Sequence, residues 1–289
     1  MAGSAVHSQR LFLPYGHRGP AARAPCIVTV PVLFLHGWAM NGALFDDIAG
    51  RLGTDFDCHA PDLPGHGSRA AAEPSLDNCA AVARQWIERL DRPLLVGWSM
   101  GAAVAWRHLF RHGTDGLRGL VTIDMSPRML PDANWDLGLI GQSPAAILTT
   151  SEKIVPRWSV MAERIACNMY ARDSEPTVSR ETIRDLLLAQ DPERLRALWD
   201  DLTAMDERRT MAGINIPYLV CTGARSRLYS QEVAHWIAAQ AGQARVARFD
   251  HSGHSPHLEE PEAFSDALRR FVAREGLAQM VSEQEGDTP

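Results

Sequence analysis

Gly97-Trp98-Ser99-Met100-Gly101 sets a serine between two glycines, directly after Pro93-Leu94-Leu95-Val96 and before the small-residue run Ala102-Ala103-Val104-Ala105. Read as strand, sharp turn and helix, this lifts the Ser99 hydroxyl above a sheet at a helix N-terminus, where the helix dipole favours developing negative charge. The flanking glycines are needed because a Cβ there would collide with the neighbouring strand or helix. A serine hydroxyl is a weak nucleophile and needs a base, most often histidine, within hydrogen-bond reach. Among the 11 histidines, His254 lies between the last apolar run and the last helical one, in Asp250-His251-Ser252-Gly253-His254-Ser255-Pro256-His257. A loop there can carry an imidazole over the end of the sheet. His251 and His257 share the loop and read as surface or supporting residues. Acyl transfer by a serine also needs two preorganised N–H donors for the oxyanion, and the backbone N–H groups of Trp38, in His36-Gly37-Trp38, and of Met100 are the candidates.

These residues require a scaffold that presents strand ends side by side. Short apolar runs ending in Gly, Asp or Pro have the character of buried parallel strands. They are Pro31 to Leu35, Phe56 to Ala60, Pro93 to Val96, Leu120 to Ile123, Pro217 to Cys221 and Arg245 to Phe249. Between them, Leu76 to Leu90, Met100 to Arg111, Gln231 to Ala241 and Pro261 to Arg274 read as helices. Such alternation specifies an α/β domain with helices on both faces of a mostly parallel sheet. It fails from Ser126 to about Arg209, where Ile183, Leu186, Leu187, Leu195, Leu198 and Trp199 keep helical spacing and no strand is visible. This reads as a helical cap, residues 126–209, inserted after the strand ending at Asp124. Pro131, Pro144, Pro156, Pro176 and Pro192 are expected to divide it into short helices. The core is then one discontinuous domain, 1–125 with 210–281, followed by a polar tail, 282–289. Asp62-Leu63-Pro64-Gly65-His66-Gly67-Ser68 reads as a structural turn, with His66 a turn residue rather than a catalyst.

Composition narrows the partners. The formal charge of -6 and pI near 6.0 lack the Lys/Arg excess that holds a protein on nucleic acid or anionic lipid. The five cysteines are odd in number and scattered, and read as buried thiols in a reducing compartment rather than a disulfide framework or zinc site. Cys26 to Leu35 is broken by Pro31 and falls far short of the ~20 apolar residues that span a bilayer. A cytoplasmic location follows, with no membrane partner.

With these motifs in place, the chain resembles the α/β-hydrolase superfamily over roughly residues 30 to 275. His36-Gly37-Trp38-Ala39-Met40-Asn41, Asp62-Leu63-Pro64-Gly65-His66-Gly67 and Gly97-Trp98-Ser99-Met100-Gly101 resemble carboxylesterases that demethylate pimeloyl-acyl-carrier-protein methyl ester in biotin synthesis. The same phrases recur in other esterases, perhydrolase-like haloperoxidases and C–C bond hydrolases. Haloalkane dehalogenases and epoxide hydrolases carry Asp at the nucleophile position, and Ser99 argues against both. The resemblance implies His254 as the base. It also implies an Asp in the loop after the penultimate strand, but here that loop is Thr222-Gly223-Ala224-Arg225-Ser226-Arg227-Leu228-Tyr229, without a carboxylate. Either the acid is missing, with Ser226 giving at most a neutral hydrogen bond, or it has moved. Asp124 ends the strand after the nucleophile strand, where some hydrolases of this fold carry their acid, and it preserves the chain order Ser, Asp, His. Asp250 is the next candidate.

The resulting expectation is a serine carboxylesterase without metal or organic cofactor: Ser99 nucleophile, His254 base, Asp124 acid, and Trp38 and Met100 as the oxyanion hole. Trp38, Met125, Trp135 and Trp158 are expected to bind substrate, and Met129, Met161 and Met169 could complete an apolar acyl channel. Short to medium acyl esters are the substrate class. An acyl carrier protein is a possible partner through cap arginines such as Arg157, Arg164 and Arg172, although the cap holds more acidic than basic side chains. Thioester, lactone or C–C hydrolysis would use the same residues, because specificity lives in the cap. A non-catalytic binding protein of the same fold is the rival from another class, and the missing carboxylate is its one support.

Overall fold

The computed structural model describes residues 29–278. Cys26, the segment before it and the polar tail 282–289 lie outside the described residues. Six parallel strands form one sheet in the order β2-β1-β3-β4-β5-β6: β1 (Val30–Leu35), β2 (Phe56–His59), β3 (Leu94–Trp98), β4 (Gly119–Ile123), β5 (Tyr218–Gly223) and β6 (Ala244–Phe249). The four inner strands are buried along their whole length and the edge strands β2 and β6 are partly exposed. Burial on both faces is why the inner strands read as continuous apolar runs rather than as alternation.

Successive side chains still part to opposite faces. Leu33, Leu35, Leu95 and Leu120 pack in one cluster with α2 (Leu76–Arg89), α3 (Met100–His112) and α8 (Gln231–Gln240). Val32, Phe34, Val96 and Val121 join the other, with α1 (Asp46–Leu52) and α10 (Pro261–Arg274). The chain runs outward from β1 to β2, then returns to place β3 on the other side of β1. Connections therefore diverge above the carboxyl ends of β1 and β3. An open α/β sheet leaves its binding crevice at such a switch point, and here the two ends carry Trp38 and Ser99.

Four α-helices and a 3-10 turn (Arg208–Gly213) occupy the stretch between β4 and β5: α4 (Pro144–Ile154), α5 (Trp158–Asn168), α6 (Arg180–Leu188) and α7 (Pro192–Ala204) are the α-helices. Pro144 and Pro192 begin helices at the first turn, where a missing N–H costs nothing, and Pro156 separates α4 from α5. Side-chain oxygens of Ser143, Ser179 and Asp191 cap α4, α6 and α7. A one-turn helix, α9 (Pro256–Glu259), follows the His254 loop. Among the described residues no helix is long and apolar enough to cross a membrane. The cysteine expectation needs correction: Cys79 and Cys221 are buried, but Cys58 is only partly so and Cys167 is exposed, on a turn of α5 that faces solvent.

Candidate active site

Ser99 joins β3 to α3 with φ 53° and ψ −117°, a sparsely populated conformation for a residue with a Cβ. Such strain costs of order 1–3 kcal/mol and persists only where the surroundings enforce it. Enforcement is visible on each side. The Ser99 N–H donates to the Ile123 carbonyl at 3.0 Å and its own carbonyl accepts from Ala102 at 2.9 Å. A Cβ on Gly101 would fall on the Leu35 carbonyl, and one on Gly97 on the backbone of Gly101. The turn is thus pinned between β1 and β4 with its serine partly exposed.

Asp124, one residue past β4, also has positive φ (46°), and its N–H donates to Cys221 at 2.9 Å. Its carboxylate is buried. Oδ2 lies 2.7 Å from His254 Nδ1 and 2.6 Å from Ser226 Oγ; Oδ1 accepts longer bonds from the Gly223 N–H (3.4 Å) and Thr222 Oγ1 (3.5 Å). A carboxylate at Nδ1 holds the proton on that nitrogen and leaves Nε2 as the acceptor, the tautomer a general base requires. Ser226 does give a hydrogen bond, from its hydroxyl to the Asp124 carboxylate rather than to the imidazole.

The loop after β1 is fastened to the loop after β2 by two histidines that exchange roles. His36 Nε2 accepts from the Leu63 N–H at 2.9 Å, while His66 Nε2 accepts from the Ala39 N–H at 3.0 Å. Each ring lies within hydrogen-bond distance of a backbone carbonyl through Nδ1, Gly37 for His36 and Pro64 for His66. Both rings are buried and neutral: burial lowers His36 to about 4 and His66 to about 3. Asp62 adds a third fastening by accepting from the Gly42 N–H at 3.0 Å. His66 is a structural residue, as its turn suggested, but a buried one that holds the strained Ala39 (φ 61°) beside Trp38. Sequence reading did not find this pairing. Its trace is an equal spacing, His36 to Leu63 and Ala39 to His66, that only the parallel β1–β2 pair explains. Among the described residues neither the Trp38 nor the Met100 backbone N–H has a partner within the chain.

Ser99, His254, Trp38, Met125, Met129, Met161 and Met169 line one cavity of ≈ 840 Å³. Two expected lining residues do not. Trp135 is buried elsewhere, edge-on to Trp236 at 4.9 Å and beneath Arg208, with its Nε1 donating to the Arg128 carbonyl. Trp158 stands behind Trp38, edge-on at 5.8 Å, with its Nε1 donating to Leu187. The aromatic facing the cavity from α7 is Trp199, 5.3 Å from Trp38, whose own Nε1 donates to Leu195 at 2.8 Å. Helical periodicity gave Trp199 no mark that set it apart from core. His251 is exposed, and His257 is buried against Phe45 and Trp98 with both nitrogens unpartnered. Asp250 pairs at the surface with Arg248, away from His254. Among the described residues no group of three or more His, Cys, Asp or Glu side chains is arranged to hold a metal ion.

The profile of the alpha/beta hydrolase family matches residues 32–267, most of the described chain. The chain belongs to this family. Among curated relatives, the pimeloyl-[acyl-carrier protein] methyl ester esterase of Vibrio cholerae is 28% identical over 84% of this chain and 94% of its own length. That of Chromobacterium violaceum is 29% identical over 83% and 93%. Among solved structures, an esterase from Exiguobacterium antarcticum superposes with a TM-score of 0.78 at 21% identity, covering 86% of this chain and 94% of the other. A bromoperoxidase from Bacillus anthracis reaches 0.77 at 20%, covering 85% and 92%. This alpha/beta hydrolase therefore shares its fold with proteins of differing activity, so its chemistry is set by its own site.

Proposed function

We propose that this alpha/beta hydrolase is a serine carboxylesterase. The observation that carries the reading is the buried Asp124–His254 pair, 2.7 Å apart, set behind the cavity that Ser99 and His254 share. In the proposed reaction, Ser99 Oγ attacks the ester carbonyl while His254 Nε2 takes its proton, and Asp124 stabilises the imidazolium that results. The oxyanion rests on the backbone N–H groups of Trp38 and Met100. Collapse breaks the ester C–O bond, His254 returns the proton to the departing alcohol, and water repeats the cycle on the acyl-enzyme to release the acid. The missing carboxylate after β5 alone favoured a non-catalytic protein, and the Asp124–His254 pair supports the catalytic reading over it.

The curated relatives favour an acyl-carrier-protein methyl ester as substrate and biotin synthesis as the setting. In support, the cavity lining combines apolar residues around Ser99 with Lys153, Arg157, Arg164 and Arg227 and, among the described residues, contains no acidic side chain. An apolar throat suits an acyl chain, and an electropositive mouth suits a phosphopantetheine arm and an acidic carrier. We further read residues 126–209 as a cap that supplies this mouth, on a core of 1–125 and 210–281. Labelling of wild-type protein, but not of Ser99→Ala, by a fluorophosphonate tests the serine mechanism. Growth of a biotin-requiring bacterial strain that lacks such an esterase tests the substrate, and failure there with active protein leaves a carboxylesterase of other specificity.

A further inference from the structure

We propose that Glu259 is a positioning residue for His254, an inference that rests on the catalytic reading of that histidine. Glu259 lies on α9, is 9% exposed, and directs its carboxylate at backbone rather than at any cation. Oε2 accepts from the N–H of Gly253 at 2.9 Å and of Ser255 at 3.1 Å, the two residues that flank His254. Oε1 accepts from the Ala171 N–H at 2.6 Å, just beyond α5. The His254 N–H between those two donors goes to the Met169 carbonyl at 2.9 Å, and the His254 carbonyl accepts from Trp98 Nε1 at 2.9 Å. Three consecutive amides around the imidazole are therefore held by one carboxylate and one carbonyl; the carbonyl, and the Ala171 N–H that in turn holds the carboxylate, belong to the helical stretch between β4 and β5.

Space is as restricted as the bonding. A Cβ on Gly253 would meet the Ala171 amide, and one on Gly223 would fall on the Gly253 carbonyl, so the loop is wedged between the end of β5 and residue 171. Charge-assisted bonds from backbone N–H groups are about twice as strong as neutral ones, and a carboxylate can accept at both oxygens at once. Glutamine at 259 cannot: its NH2 group would confront an N–H donor on one side, releasing either Ala171 or the His254 flanks. Displacement of a catalytic group by about 1 Å can cost on the order of 100-fold in rate. Glu259 thereby makes the alignment of His254 on Asp124 depend on the docking of residues 169–171.

The test compares Glu259→Gln and Glu259→Asp with wild type, using p-nitrophenyl butyrate kinetics and the downfield proton NMR resonance of the His254 Nδ1–H. Glu207→Gln, which removes the charge that buried Glu207 presents to Arg107 of α3, controls for general destabilisation. Folded Glu259→Gln is expected to lose about 10-fold or more in kcat with KM within about twofold, and to broaden or shift the resonance. Glu259→Asp, which keeps the charge on a shorter stem, is expected to recover part of both. Wild-type kcat and resonance in folded Glu259→Gln would overturn the proposal, as would an equal kcat loss in Glu207→Gln. Should Glu259→Gln not fold, Glu259→Asp decides: unchanged kcat together with an unchanged resonance overturns it. If wild type hydrolyses no ester, the catalytic reading fails on its own, and the resonance still reports whether Glu259 sets the imidazole.

Discussion

Ser226 Oγ donates to Asp124 Oδ2 at 2.6 Å, and the same oxygen lies 2.7 Å from His254 Nδ1. A hydroxyl in the loop after β5 thus braces a carboxylate that arrives from the end of β4. The pair explains how a loop without an acid still serves the imidazole: β4 and β5 are neighbours, with Ile123 opposite Cys221, so their ends deliver side chains to one point.

Asp124→Asn is expected to lower kcat by about 10⁴-fold, because an amide neither fixes the tautomer of His254 nor stabilises its charged form. Ser226→Ala removes one of several hydrogen bonds to the carboxylate without removing its charge and should cost about 10-fold or less, with Ser226→Thr restoring it. Steady-state kinetics on a p-nitrophenyl ester compares the series. Equal losses at 124 and 226 would contradict the assignment of the acid.

Ser99→Ala should abolish turnover, by about 10⁴-fold or more, while the thermal midpoint stays near or above that of wild type. The serine bears a strained backbone and its side chain is partly exposed, so the fold gains little from the hydroxyl. Calorimetry and ester hydrolysis on the same preparation check both halves of the statement.

His36, His66 and His257 are buried with pKa values lowered to about 4, about 3 and about 3, in each case chiefly by burial. Unfolding frees each to titrate near 6.5, so below that pH the unfolded chain binds more protons than the native one, and stability falls as pH decreases. Their contribution is constant above about pH 7 and is lost progressively from about 6.5 towards 4. Melting curves at stepped pH should show that plateau and decline. His257→Phe should flatten the decline, since phenylalanine suits the slot between Phe45 and Trp98 and removes two unpartnered nitrogens.

Arg157→Glu combined with Arg164→Glu should raise KM for an acyl-carrier-protein ester at least about 10-fold more than KM for p-nitrophenyl butyrate. The charges line the cavity from the start and first turns of α5, where only a substrate with an acidic carrier or phosphodiester would meet them. A matched loss on both substrates would show that these arginines act on the fold or on the acyl pocket instead.

Local chemistry in the sequence determined much of this protein. Short apolar or mixed runs ending in Gly, Asp or Pro located the six described strands to within two residues at either end, and glycine spacing around Ser99 located the turn, because both depend on neighbours along the chain. That Ser99, Asp124 and His254 each follow a strand was legible for the same reason. What tertiary structure alone decided depends on residues far apart in sequence. The paired roles of His36 and His66 require β1 and β2 to lie in register, and Ser226 meets Asp124 only because β4 and β5 are adjacent. Whether Trp135, Trp158 or Trp199 faces the cavity depends on how the turn after β4 and the short helices that follow it pack, since each side chain has the same burial preference and only its direction differs. Periodicity states that a face is buried; it does not state against what.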